Sequence, residues 1–366
     1  MDLELSLFND VAPTLSINDL HAQLPHDADL WHIESAAKWL ERYKQQGGRL
    51  TRDLQSLNGL FRNFIHGRLA QNEDVPAHHL RLLLHPLQAM VLEHQQLLRV
   101  FGKDEPSYSH RVLSKLKILG RLQETRDVLQ QLEFLLRRKC DVDSAAGRTS
   151  NQAMNRVNLI LSHLISLNTH TCVPEIERIA RQDPPMTAGQ RAERWRHVWY
   201  SETSHAGLSH AGQIFRLLEE LGDEQRPAWW PLAAYRAALV CWSSSVSSFS
   251  SSSFLSSSSP ASSSSPCPSA DAAGAGAGLS AGRTISGRDQ PEVSINTLPT
   301  CDKAMHGYLH DHVGRPVLTL PDGTRIPAWE GNNGLDYCIN LLGRNSTRLV
   351  RVTQAKLRLL AQRWRV

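Results

Sequence analysis

His210–Trp242, HAGQIFRLLEELGDEQRPAWWPLAAYRAALVCW, decides how the chain is read. Ala211, Ile214, Leu218 and Leu221 recur at i, i+3, i+7 and i+10, the spacing of one apolar helix face. Gly222 and Asp223 stop that helix, and Pro227 lies just beyond the stop. A second helix is predicted from about Pro231 through Leu232, Tyr235 and Leu239 to Trp242. Its Ala233, Ala234, Ala237 and Ala238 leave a nearly flat face that another helix can approach closely. Trp229 and Trp230 fall in the corner between the two helices, where large rings fill a gap at low conformational cost. The stretch packs helices and offers no chemistry.

The same pattern extends in both directions. Upstream, LWHIESAAKWLERYKQ predicts a helix entered after Asp27 and Asp29, with Trp31, Ser35 and Trp39 four apart so that the two indoles share a packing face. Gly47 and Gly48 end it. Leu54, Leu57, Phe61, Phe64 and Ile65 mark the next helix, and His79–Phe101 a strongly apolar one that Pro86 should kink or split, since proline lacks the N–H a helix interior needs. Residues 107–139 continue helical on Val112, Leu116, Leu119, Leu122, Leu129, Leu132 and Leu136. Arg137, Arg138 and Lys139 then read as the C-terminal turn of that helix, where cations favour the dipole, rather than as an import signal. A loop at Ser144–Ser150 leads to a helix ending near His170, then to CVPEIERIARQ with Pro174 in its first turn. Trp195, Val198 and Trp199 form an aromatic patch in Arg191–Tyr200.

At Ser243 the composition changes to serine, alanine and glycine, and residues 243–295 read as a disordered insertion, which such polar low-complexity sequence favours. Beyond it, residues 301–313 suggest a short helix. VLTLPDGTRIPA carries a hairpin signal near 317–327 built on Asp322-Gly323. NGLDYCINLL resumes helix. The last helix is predicted from a Ser346 cap, with Val350, Leu357, Leu360 and Trp364 on one face and Arg348, Arg351, Lys356, Arg358, Arg363 and Arg365 around it without an acid. Those cations could contact phosphate, and a solvated face explains them as well. The fold class is therefore all-α, divided as a helical body over 1–242, the insertion over 243–295, and a helical part over 296–366 packing on the same body.

Composition excludes several classes. The net charge of +4, from 40 Lys and Arg against 36 Asp and Glu, is too mild over 366 residues to argue for nucleic acid by itself. Cys140, Cys172, Cys241, Cys267, Cys301 and Cys338 are scattered without a C-x-x-C pair and read as reduced thiols. No apolar run reaches membrane-spanning length. No G-x-S-x-G, dinucleotide or P-loop motif occurs, and no nucleophile is paired with a base, so an enzyme is not expected and no catalytic or cofactor-binding residue is assigned. His306, His310 and His312, with Asp302 and Asp311 nearby, are the one metal candidate. His306 and His310 have helix-compatible ligand spacing, yet Gly307 stands where an H-E-x-x-H site has its glutamate. Exposed histidines near a loop account for them, and no metal ligand is assigned. His78, His79 and His85 flank Pro86 without ligand spacing.

Four stretches taken together resemble the fungal-specific transcription factor domain of fungal C2H2 zinc-finger regulators. They are LFNDVAPTLSINDLHAQLPHDADLWHIESAAKWL at Leu7–Leu40, HLISLNTHTCVPEIERIAR at His163–Arg181, SHAGQIFRLLEELGDEQRPAWWPLAAYRAALVCW at Ser209–Trp242, and VLTLPDGTRIPA with LDYCINLL and the closing helix. The resemblance implies the regulatory domain of a nuclear RNA polymerase II transcription regulator, acting on protein partners of the transcription machinery or on a small effector, with a homodimer open. It also implies DNA reading and zinc only through fingers that residues 1–366 do not contain, so the chain is either a fragment or a regulator that does not itself bind DNA. Two alternatives stand beside it: a helical interaction scaffold with no link to transcription, and a metal-dependent enzyme using His306, His310 and His312.

Overall fold

A computed structural model describes residues 2–14, 21, 35–45, 56–69, 75–101, 109–147, 149–181, 198–199, 205–255, 290–328 and 330–363. The described chain is mostly helical, with one small sheet. Helices α1 (Asp2–Asn9), α2 (Ala36–Gln45), α3 (Leu57–Ile65), α4 (Ala77–Phe101), α5 (Ser109–Ala145), α6 (Thr149–His170) and α7 (Val173–Arg181) come first. The hairpin of α8 (His205–Glu220) and α9 (Trp230–Leu255) follows. Strand β1 (Glu292–Ser294), α10 (Lys303–His310), β2 (Arg315–Thr319), β3 (Arg325–Pro327), α11 (Asn333–Leu342) and α12 (Arg348–Arg363) complete it.

The core is organised on α6. From Val157 to Cys172 every residue of it and of the turn after it is buried, polar ones such as Asn158, Ser162, His163 and Asn168 included. It packs on α4, α5 and α8. From α8 the packing passes to α9, and from α9 to α7, α11 and α12. The alanine face of α9 explains this closeness: Ala233, Ala234, Ala237 and Ala238 are fully buried. On α11, Gly334 sits so near Cys241 that a side chain there would collide with the Cys241 Cβ. Trp230 is buried in the corner with the Arg226 guanidinium 5.1 Å over its ring, and Trp229 packs toward Phe8 of α1. Arg236 of α9 holds the end of α1 by paired bonds to Asp10, at 3.2 and 2.9 Å.

Asp322-Gly323 does make the turn of an antiparallel hairpin, with Leu318 opposite Ile326 and Gly323 at φ +84°. A third strand, β1, pairs with β2 in parallel, Val293 opposite Pro316. Behind it, the Asn296 amide donates to the Thr319 carbonyl and the Tyr337 hydroxyl, and its oxygen accepts from the Thr319 N–H.

Several expectations need correction. Pro86 does not split its helix, since α4 is continuous from Ala77 to Phe101. The Leu82 carbonyl that proline leaves without an N–H lies beside the His85 ring, where burial disfavours the charged form and this carbonyl offsets it in part. Helix α5 runs eight residues beyond Arg137, so Arg137, Arg138 and Lys139 are not its last turn. The insertion expected over 243–295 is shorter at both ends: α9 continues to Leu255, Ser243, Ser244 and Ser245 are buried, and β1 begins at Glu292. The buried hydroxyls are satisfied by bonding back to helix carbonyls, Ser243 to Val240 and Ser245 to Trp242. Thr347, not Ser346, caps α12, its hydroxyl accepting from the Val350 N–H. Trp39 is 40% exposed and so forms no closed face. Trp31, Trp195, Trp364, Cys267, Gly47, Gly48 and the serine tract over 256–289 lie outside the described residues.

Candidate functional site

The most concentrated polar chemistry in the described residues lies where α5, α6 and α8 meet the chain returning after β1. Glu133 and Arg137 come from α5, one turn apart. His163 comes from the middle of α6, and His210 and Gln213 from α8. Each is set into an otherwise apolar surface. Glu133 stands at i+4 from Leu129 and i−3 from Leu136, both fully buried, so helix periodicity itself turns the carboxylate inward.

The carboxylate uses its two oxygens differently. Oε1 accepts from the Arg137 guanidinium at 2.8 and 2.9 Å and from the Thr300 hydroxyl at 2.9 Å. Oε2 faces His163 Nδ1 at 3.6 Å. His163, with no exposed side-chain surface, has its Nδ1 3.1 Å from His210 Nδ1 and its Nε2 3.4 Å from Arg137. Arg137 also donates to the Gln213 oxygen at 3.3 Å, as does Arg216 at 3.0 Å. The Gln213 amide donates in turn to the Ile295 and Leu298 carbonyls. The network thus fastens the segment after β1 onto α8.

Hydrogen-bond accounting assigns the protons. Arginine can only donate, so His163 Nε2 accepts from Arg137 and its one proton sits on Nδ1. That proton points into the gap shared by His210 Nδ1 and Glu133 Oε2. Burial holds His163 neutral, well below the ordinary histidine range despite Glu133 beside it, and burial lowers His210 too. Burial works against ionisation of Glu133, but the Arg137 guanidinium and the Thr300 hydroxyl favour the carboxylate, as His163 and His210 do only when protonated, and the carboxyl is kept low. Near neutral pH the site therefore holds one carboxylate and two neutral imidazoles. His170 also packs on His210, with ring centroids 5.5 Å apart, and is held neutral by burial.

Ligand-capable atoms of Glu133, His163 and His210 all lie within 4.8 Å of one another, the one such group among the described residues. The sequence-derived candidates are not brought together in this way. His306 and His310 are neighbours on α10, with ring centroids 4.3 Å apart, but His312 turns away and stacks on His205, their Nδ1 atoms 2.9 Å apart. Asp302 caps α10 through the Ala304 N–H, and Asp311 closes its other end. Sequence reading missed the Glu133 trio because its members lie 30 and 47 residues apart. The usable signal was a polar residue on a buried face, namely Glu133 in the Leu129/Leu136 stripe and His163 inside LILSHLISL.

The chain is similar to fungal transcription factors. It is 31% identical to transcription factor PfmaH of Pestalotiopsis fici over 100% of its own length and 35% of that protein's. It is 30% identical to a transcription factor of Zymoseptoria tritici over 99% of its length and 36% of the relative, and 28% identical to Transcription factor 1 of Elsinoe fawcettii over 95% and 33%. The chain thus spans about a third of the length of the curated relatives it matches. No protein-family profile and no solved structure matches it. No helix among the described residues is long and apolar enough to cross a membrane. The five described cysteines, Cys140, Cys172, Cys241, Cys301 and Cys338, are free thiols.

Proposed function

We propose that the chain is the regulatory portion of a nuclear fungal RNA polymerase II transcription regulator, binding partner proteins or a small effector rather than reading DNA. The observation that carries this is the likeness to proteins named transcription factors along nearly the whole chain, which yet accounts for only about a third of each relative. That proportion suits one module of a larger regulator, with DNA reading and its zinc supplied by another. The all-helical body of stacked apolar faces agrees with a binding module. Among the described residues its polar groups of unusual placement tie helices together, and the relatives' names are those of transcription factors, which fits a non-enzymatic role. Protein partners fit better than phosphate for α12, since its cations alternate with the exposed Leu349, Val352 and Leu359.

The test is to tether the 366-residue chain to an unrelated DNA-binding domain in a fungal host carrying the matching reporter, and to follow the untethered protein by microscopy. Reporter output that rises or falls several-fold, with nuclear protein, is the expected result. Unchanged output from a stably expressed fusion, with the untethered chain cytoplasmic, would leave the scaffold reading in its place.

A further inference from the structure

We infer that Glu133, His163 and His210 form a binding site for a single divalent transition metal ion of the zinc class. Three observations carry this, and none depends on the transcriptional reading. The first is spacing. Two nitrogens on one tetrahedral zinc, each about 2.0–2.1 Å from it, stand about 3.3 Å apart. The His163 and His210 Nδ1 atoms are 3.1 Å apart, and Glu133 Oε2 is 3.6 Å from the first of them. Both distances are within a few tenths of an ångström of that spacing, and the ligand-capable atoms of all three residues lie within 4.8 Å of one another.

The second is the donor set. It is one carboxylate and two imidazoles, contributed by three different helices. Two imidazoles and one carboxylate suit zinc, with a fourth position left for solvent or an incoming ligand. His210 is the least covered of the three.

The third is the outer layer. Glu133 Oε1, the oxygen facing away from the trio, is fixed by Arg137 and Thr300, so Oε2 is presented rather than free to rotate. Such outer partners orient ligating carboxylates in metal sites generally. In the ion-free state the gap holds the single proton of His163 Nδ1. When an ion enters, that proton moves to Nε2, and Arg137 gives up its 3.4 Å contact there while keeping Glu133 and Gln213. No proton needs to leave the site. The ion would bind three helices, α5, α6 and α8, at one point, and so couple metal supply to the packing of the body.

The test is titration of the chelator-treated 366-residue chain with cobalt(II), followed by zinc displacement. The expected result is one cobalt per chain with the intense visible bands of tetrahedral coordination, and a melting temperature that rises with zinc concentration. Glu133→Gln, which preserves shape, and His210→Ala, at the more exposed ligand, should each weaken binding at least tenfold while retaining the helical circular dichroism of the parent. His306→Ala with His310→Ala should bind as the parent does. Absence of one-per-chain uptake by the parent overturns the inference. So does equal binding by Glu133→Gln and His210→Ala, or a loss confined to the His306/His310 variant.

Discussion

Gly212→Ala opposes two effects of different sign at one position. Within a helix, replacing glycine by alanine ordinarily stabilises by about 0.5–1 kcal/mol, because the unfolded chain loses freedom. Gly212 lies in α8, against the segment that returns after β1. A Cβ built there would stand 2.6 Å from the Ile295 carbonyl carbon and 2.7 Å from its Cβ, roughly 1 Å inside ordinary contact. Most of the obstacle is backbone, which cannot rotate aside, so α8 and the returning segment must separate. Overpacking of this kind costs about 1–3 kcal/mol. Separation also strains the bonds from the neighbouring Gln213 to the Ile295 and Leu298 carbonyls, each worth about 1 kcal/mol and more if a buried carbonyl is orphaned. The collision wins, and a net loss of about 2–4 kcal/mol is expected. Gly120→Ala in α5, where nothing lies within 4 Å, serves as the control and should gain about 0.5–1 kcal/mol. Urea denaturation followed by circular dichroism gives both values. If Gly212→Ala is as stabilising as Gly120→Ala, the returning segment does not rest on α8 and the architecture given above is wrong there.

Acid should weaken the fold earlier than carboxylates alone predict. His163, His170 and His210 are held neutral by burial, so the unfolded chain binds more protons below its histidine pKa near 6.5, and stability is lost as pH falls through that range. Each contributes up to about 1.4 kcal/mol per pH unit, and His163→Gln should flatten the fall in urea midpoint between about pH 6.5 and pH 5. Trp230→Ala should cost about 3–5 kcal/mol, since its ring is 3% exposed, and an unchanged melting curve would remove that corner from the core. Thr347→Ala should lower stability by about 0.5–2 kcal/mol and Ser346→Ala should not, with the reverse order in a denaturation series counting against the cap assignment.

What could be read in advance follows from the range of the forces involved. The α8–α9 hairpin, the apolar stripes of α3 and α4, and the Asp322-Gly323 turn are local, set by spacings of a few residues. Strand β1 was not legible, because three residues after a low-complexity stretch carry no period and its partner β2 lies some 20 residues on. Arg137 was read by the same local logic as a helix terminus, and tertiary contact overrode it: a longer α5 carries the guanidinium inward to Glu133. The candidate site was least legible of all. His306, His310 and His312 attracted notice by proximity in sequence, which a turn at His312, φ 54°, undoes in space. Glu133, His163 and His210 meet only because three helices cross.

The attachment of residues 290–363 has a consequence for the integrity of the chain. That part is bound to the helices before it by side-chain and packing contacts at many points: Gln213 on Leu298, Thr300 on Glu133, Gly334 against Cys241, and α12 on α9. The covalent connection from Leu255 to Gln290 keeps the two parts together, and the entropy of closing such a connection grows slowly with length. Two separately translated parts, residues 1–255 and 290–366, should find one another and copurify on these contacts, as a complementing pair of fragments does.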